Sequence, residues 1–152
     1  MNLIHKTFIT ETAHIVRKAS STRCKFNIHG HSYKWIVHIK SKNLNSAGMV
    51  LDFKDMGKIG DFIDQFDHSV VFWSQEEHSI LEFFFDNFKR VIVMQQNPTA
   101  ENMARLIFQF CKGNLPTGIE VYKVEVWETA KGCAEATESD TTDVINHLIV
   151  EG

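Results

Sequence analysis

The stretch from His29 to Lys42 constrains the fold more than any other part of the chain. Tyr33, Trp35, Val37 and Ile39 alternate there with Lys34, Ile36, His38 and Lys40, the period-2 pattern of a strand with one face turned to a core. The strand opens on His29-Gly-His31. Side chains two apart on a strand leave from one face, with roughly 6.5 Å between their Cα atoms. His29 and His31 can therefore converge on a single ion. An earlier strand-like run, Phe8, Thr10, Thr12, His14, ends on another histidine. Three imidazoles with a coordination position left open form a catalytic metal site rather than a closed structural one. Neutral imidazole suits Zn²⁺, Fe²⁺, Cu²⁺ and Ni²⁺ alike, so the identity of the metal is a second inference.

The remaining pattern predicts an α+β fold. Residues 3–14 and 31–42 read as strands. The polar segment between them carries Arg17, Lys18, Arg23 and Lys25, a basic loop beside the histidines that could hold a polyphosphate leaving group. Asp52 can cap a helix over 53–66, with Met56, Ile59, Ile63 and Phe66 on one stripe. Leu81, Phe84, Phe85 and Phe88 have helical spacing, and Val91–Met94 suits a short strand. The clearest helix has Asn97 as N-cap, Pro98 at its first position, and an apolar stripe of Met103, Leu106, Ile107, Phe110 and Cys111. Gly113 and Pro116 end it. A strong strand runs from Ile119 to Glu128, with a further strand possible near Gly132–Thr137. The apolar run Val144–Val150 fits a strand, a helix or a frayed end. Strands and helices in separate groups predict an antiparallel sheet of about four strands with two helices packed on one face.

Bulk properties narrow the function. The 152 residues suit one domain over 1–152. A net charge of −3 gives no electrostatic case for nucleic acid. No apolar stretch approaches the roughly 18–20 residues that cross a membrane, so no membrane partner is expected. The N-terminus lacks the apolar core of a signal peptide. Three cysteines are too few and too odd for a disulfide framework, and a reducing cytoplasm is the expected compartment. Twelve Phe and three Trp are many for this length, and some suit subunit interfaces.

Several side chains could carry chemistry. Cys24 is either a fourth metal ligand or a thiolate base held beside the metal, since flanking Arg23 and Lys25 favour the ionised sulfur. Cys111 lies on a helical apolar stripe and reads as core, whereas Cys133 has no evident role. In Asp67-His68 a carboxylate adjoins an imidazole, a pair suited to proton transfer. Along the last strand Tyr122, Val124, Val126 and Glu128 share a face, which turns Glu128 inward. A carboxylate there needs partners, and a ligand with paired N–H donors would provide them. Glu101 sits in a first helical turn, where the dipole already favours an acid.

The blocks His14, Cys24-Lys-Phe-Asn-Ile-His29-Gly-His31-Ser-Tyr, Gly48-Met-Val-Leu-Asp52-Phe53, Asp67-His68, Asn97-Pro-Thr-Ala-Glu101-Asn and Glu128-Thr129 resemble, in this order, the 6-pyruvoyltetrahydropterin synthase superfamily. Within it they are most similar to the bacterial queuosine-pathway branch, the 6-carboxytetrahydropterin synthases. The resemblance implies the tunnelling (T) fold and a homo-oligomer, usually a hexamer built as a dimer of trimers, with active sites between subunits. It implies Zn²⁺ on His14, His29 and His31. It implies a proton-transfer set of Cys24, Asp67 and His68, in which the cysteine and the Asp-His pair come from different chains. Glu128 matches the glutamate that anchors the pterin ring, and Thr99 and Glu101 match a motif lining the same pocket. The implied substrate is 7,8-dihydroneopterin triphosphate, converted to a 6-carboxytetrahydropterin with release of acetaldehyde and triphosphate. The biopterin-type synthase, which keeps a pyruvoyl side chain, is the nearest alternative, and a non-catalytic zinc or pterin binder is a third. The four residues between Cys24 and His29 do not select the branch.

Overall fold

In a computed structural model, the structure describes residues 1–138 and the backbone of His147–Val150. Strands β1 (Asn2–His14) and β2 (His29–Ser41) form its spine. They pair antiparallel along their whole length, from Asn2 opposite Ser41 to His14 opposite His29. Between them lies the short helix α1 (Thr22–Phe26). After a 3₁₀ turn at Phe53–Met56 come α2 (Gly57–Asp64), β3 (Ser69–Trp73), α3 (His78–Asn87) and β4 (Val91–Met94). Then follow α4 (Ala100–Gly113), β5 (Ile119–Thr129), β6 (Gly132–Ala136) and β7 (His147–Val150). Of the expected tail element, β7 is a strand, and residues 144–146 lie outside the described residues.

The α+β class is borne out, but the sheet is larger than about four strands and is mixed rather than antiparallel. Among the described residues seven strands run in the order β6-β5-β2-β1-β3-β4-β7. β3 pairs parallel with both β1 and β4. Ser69–Phe72 is buried at every position, and its apolar residues Val70, Val71 and Phe72 follow one another without alternation, as expected of a strand covered on both faces. The covering explains a second difference. Met56, Ile59 and Ile63 and the stripe of α4 pack with Tyr33, Trp35, Val37 and Ile39 in one core. Ile80, Leu81, Phe84 and Phe85 of α3 pack with Ile15, Val70, Phe72 and Val91 in a second cluster. A third helix thus covers the opposite face. Each fully buried large apolar side chain contributes about 1.5–3 kcal/mol relative to exposure.

Local chemistry sets the boundaries. Asp52 Oδ1 accepts from the Lys54 amide at 3.1 Å, the expected cap, but the first turn is 3₁₀ and the α-helix begins at Gly57. A Cβ at Gly60 would lie 3.0 Å from Cε1 of Phe8, so glycine lets α2 rest close on β1. The cap of α4 is Thr99, not Asn97: Thr99 Oγ1 accepts from the Asn102 amide at 3.2 Å. Asn97 and Pro98 stay outside the helix and serve the site instead. On β5 the expected face is broken by a bulge opposite His38 and Ile39. It takes Tyr122 out of the ladder, leaving it 43% exposed, while Val121 turns into the core beside Val124 and Val126.

A histidine triad at the mouth of the central strand pair

The full-length pairing of β1 and β2 brings the three histidines together. His14 lies directly opposite His29, and His31 faces Thr12. Ring centroids are 4.6 Å apart for His14 and His29, 5.2 Å for His14 and His31, and 5.1 Å for His29 and His31. One donor atom from each lies within 4.8 Å of the others. Cys24 is not in that group.

Backbone carbonyls select the nitrogen that each ring offers. His14 Nδ1–H donates to the Pro98 carbonyl at 2.8 Å, and His29 Nδ1–H donates to the Asn27 carbonyl at 2.9 Å. That leaves Nε2 of each ring as the unprotonated nitrogen, turned toward the other rings, the outer-sphere arrangement typical of metal-binding histidines. His31 Nε2 is buried and has no hydrogen-bond partner. Burial pushes the pKa of His14 down to about 4, and burial also lowers that of His31. His14 and His31 are therefore held neutral at physiological pH, the form that binds metal. An orphaned buried nitrogen within a convergent set of three imidazoles fits a divalent cation.

Tyr33, fully buried, forms the floor. Its hydroxyl lies 3.2 Å from each nitrogen of the perpendicular His14 ring and 3.5 Å from Glu128 Oε1. Burial raises the tyrosine pKa strongly, so the hydroxyl stays protonated. Glu128 is the extra residue at a second bulge of β5, between the pairs Trp127–Cys133 and Thr129–Gly132. Its carboxylate comes 3.9 Å from His14 Nε2 and remains about one-third exposed. It faces the site as expected, though from a bulge rather than by simple alternation.

A cavity of about 350 Å³ opens beside the triad, lined by His14, Cys24, His29, Thr99, Glu101 and Glu128. The structure thus brings six of the nine predicted residues to one space. The Thr99 hydroxyl is already engaged as the helix cap. Cys133 also lines the cavity, although no motif or local pattern singles it out. The β5–β6 hairpin puts it opposite Trp127, one residue from Glu128, and only a correct hairpin register would have revealed this.

Asp67 and His68 lie elsewhere. His68 lines a separate open depression with Glu11, Gly30, His31, Ser32 and Ser69. Its Nδ1–H donates to Asp67 Oδ2 at 2.9 Å, and its side chain is 75% exposed. Asp67 Oδ1 accepts from the Glu11 amide at 2.8 Å, the main cause of a carboxyl pKa below the usual range. Arg17 also departs from expectation. It is held by Glu76 and by the Lys25 carbonyl, so it fastens the basic loop instead of presenting a free cation to a phosphate.

The sequence model of the 6-pyruvoyl tetrahydropterin synthase family matches residues 3–139. A 6-carboxy-5,6,7,8-tetrahydropterin synthase of Helicobacter pylori (strain J99) is 34% identical over 137 residues, covering 84% of this chain and 68% of the relative. One from Aquifex aeolicus is 29% identical over 89% of this chain and 97% of its own. The solved 6-pyruvoyl tetrahydropterin synthase of Caenorhabditis elegans superposes with a TM-score of 0.64 at 24% identity, over 90% of this chain and 94% of that one. The fold is the T-fold that the sequence motifs implied. Among the described residues no helix is long and apolar enough to cross a membrane.

Proposed function

The chain belongs to the 6-pyruvoyl tetrahydropterin synthase family, and from that premise we propose that residues 1–152 form a single-domain, zinc-dependent lyase. In this reading it converts 7,8-dihydroneopterin triphosphate and one water to 6-carboxy-5,6,7,8-tetrahydropterin, acetaldehyde and triphosphate, on the route to queuosine. The observation that carries the proposal is the triad with its Nδ1 hydrogens on His14 and His29 already committed, set beside a thiol outside the donor group. The naming of the bacterial relatives supports the choice of branch.

His14, His29 and His31 would hold the zinc, which when bound supplies a Lewis acid and a template for the substrate side chain. The other roles belong to the protein. Glu128, at the mouth of the cavity, accepts paired N–H donors from the pterin ring. Tyr33 beneath it keeps a hydrogen on its hydroxyl and can support that carboxylate. Thr99 fixes the start of α4, and Glu101 lines the wall. Cys24, as thiolate, takes a proton from the substrate side chain. His68, oriented by Asp67, moves protons at the side-chain hydroxyls. In this reading Asp67-His68, which is not among the residues lining the cavity beside Cys24 and Glu128, serves a site shared with a second subunit of a homo-oligomer.

Incubation of the purified protein with 7,8-dihydroneopterin triphosphate tests the reading. Acetaldehyde and a carboxylated pterin are expected. A pyruvoyl pterin would move the chain to the biopterin-type reaction, and an unchanged substrate would leave a binding protein.

A further inference from the structure

Three successive core-facing positions of β1 are polar. Thr10 and Thr12 are 2% and 3% exposed, and His14 follows them. Apolar residues would be expected there, so the hydroxyls need an explanation. The Trp35 indole N–H donates to Thr10 Oγ1 at 2.9 Å. Thr10 and Thr12 hydroxyls are 2.8 Å apart. Thr12 donates to the Phe66 carbonyl at 2.9 Å. The last bond uses the only hydrogen on Thr12, so Thr10 must donate to Thr12. The chain therefore runs one way, from Trp35 through Thr10 and Thr12 to the carbonyl of Phe66.

That carbonyl precedes Asp67-His68. It also accepts from Ser69 Oγ at 2.7 Å. The next residues are pinned by the same strand, with the Glu11 amide on Asp67 Oδ1 and the His68 amide on the Glu11 carbonyl at 2.7 Å. His68 has φ of 55°, a left-handed backbone that side-chain-bearing residues seldom adopt. A turn strained in this way persists only when its surroundings fix it.

We propose that Thr12 is a positioning residue for the Asp67–His68 pair. Its hydroxyl, oriented by Thr10 and Trp35, clamps the Phe66 carbonyl and so holds His68 in its left-handed turn. The strand that does this also ends on His14, which ties the proton-transfer pair and the histidine triad to one rigid rail. The catalytic part of the inference rests on the function proposed above, whereas the structural part does not.

The test uses Thr12→Val, which keeps the shape and removes the hydroxyl, Thr12→Ser, which restores it, Ser69→Ala and His68→Ala. Thr12→Val is expected to exchange the amide hydrogens of residues 67–70 faster than wild type. Its kcat should fall about tenfold or more, in line with small misplacements of catalytic groups. KM and zinc content should hold, the pH–rate profile should shift, and Thr12→Ser should recover most of the loss. If Thr12→Val does not fold, Ser69→Ala is expected to show the same effects in weaker form. Wild-type exchange and wild-type kcat in whichever of the two folds would overturn the proposal. Full activity in His68→Ala would instead remove the proton-transfer role, and amide exchange alone would then decide whether Thr12 holds the turn.

Discussion

Arg17 grips Glu76 with two hydrogen bonds, Nε to Oε2 at 2.8 Å and Nη2 to Oε1 at 3.0 Å, while its remaining nitrogen donates to the Lys25 carbonyl at 3.0 Å. This guanidinium joins the loop that carries Cys24 to the segment between β3 and α3. The Glu76 side chain is 3% exposed, that of Arg17 30%. A nearly buried carboxylate without its partner is expensive, and water at Arg17 moderates the loss. Arg17→Ala should destabilise the fold by about 2–3 kcal/mol, read as a drop in the urea midpoint, and should raise mobility around Cys24. A midpoint matching wild type would show that the pair is not a pin.

The same pair gives a pH dependence. Hydrogen bonding to Arg17 holds the Glu76 carboxyl below its ordinary value of 4.5. A depressed folded pKa adds stability that is complete above the unfolded value and is lost as the pH falls through the folded one. The stability gap between wild type and Arg17→Ala should therefore be constant above about pH 5 and close below pH 4.5. A gap that widens in acid would contradict the assignment.

Thiol labelling should separate the cysteines. Cys111 is fully buried in the core, and burial pushes its pKa up to about 12. Cys24 is partly exposed and Cys133 exposed. Iodoacetamide at neutral pH should modify Cys24 and leave Cys111 untouched until the protein is denatured. Native labelling of Cys111 at the same rate would place it wrongly in the core.

Glu128→Gln should keep the fold and weaken substrate binding by about 1–3 kcal/mol, the range for leaving a partner's donors poorly matched. Titration of a non-reacting pterin measures this directly. Unchanged affinity would end the anchor role.

Cys24→Ala should retain a full complement of metal and lose turnover, while His31→Ala should lose both. Metal analysis beside the product assay checks each. Loss of metal in Cys24→Ala would make the sulfur a ligand.

Much of this was legible in the chain. The alternation in β2 and the run ending on His14 predicted the two strands and, through their pairing, the triad. Capping by Asp52 and the stripe of α4 were also visible. What was hidden depends on relations between strands. β3 is buried on both faces from Ser69 to Phe72, so its period told nothing, and its parallel pairing cannot be read locally. The bulges of β5 break the face assigned to Tyr122 and place Glu128 differently. Asn97 has the chemistry of an N-cap, yet its side chain donates to the Arg17 carbonyl at 2.6 Å and Thr99 caps instead. The commitment of Arg17 to Glu76 joins residues 59 positions apart, a pairing that no local pattern announces.

In the proposed enzyme three imidazole nitrogens hold the metal and leave the sulfur of Cys24 free for proton transfer. X-ray absorption at the zinc edge of the loaded protein tests it most directly. The expected result is a first shell of nitrogen and oxygen at about 2.0–2.1 Å with imidazole outer-shell scattering from three rings. A sulfur neighbour near about 2.3 Å would mean a closed site and would contradict it.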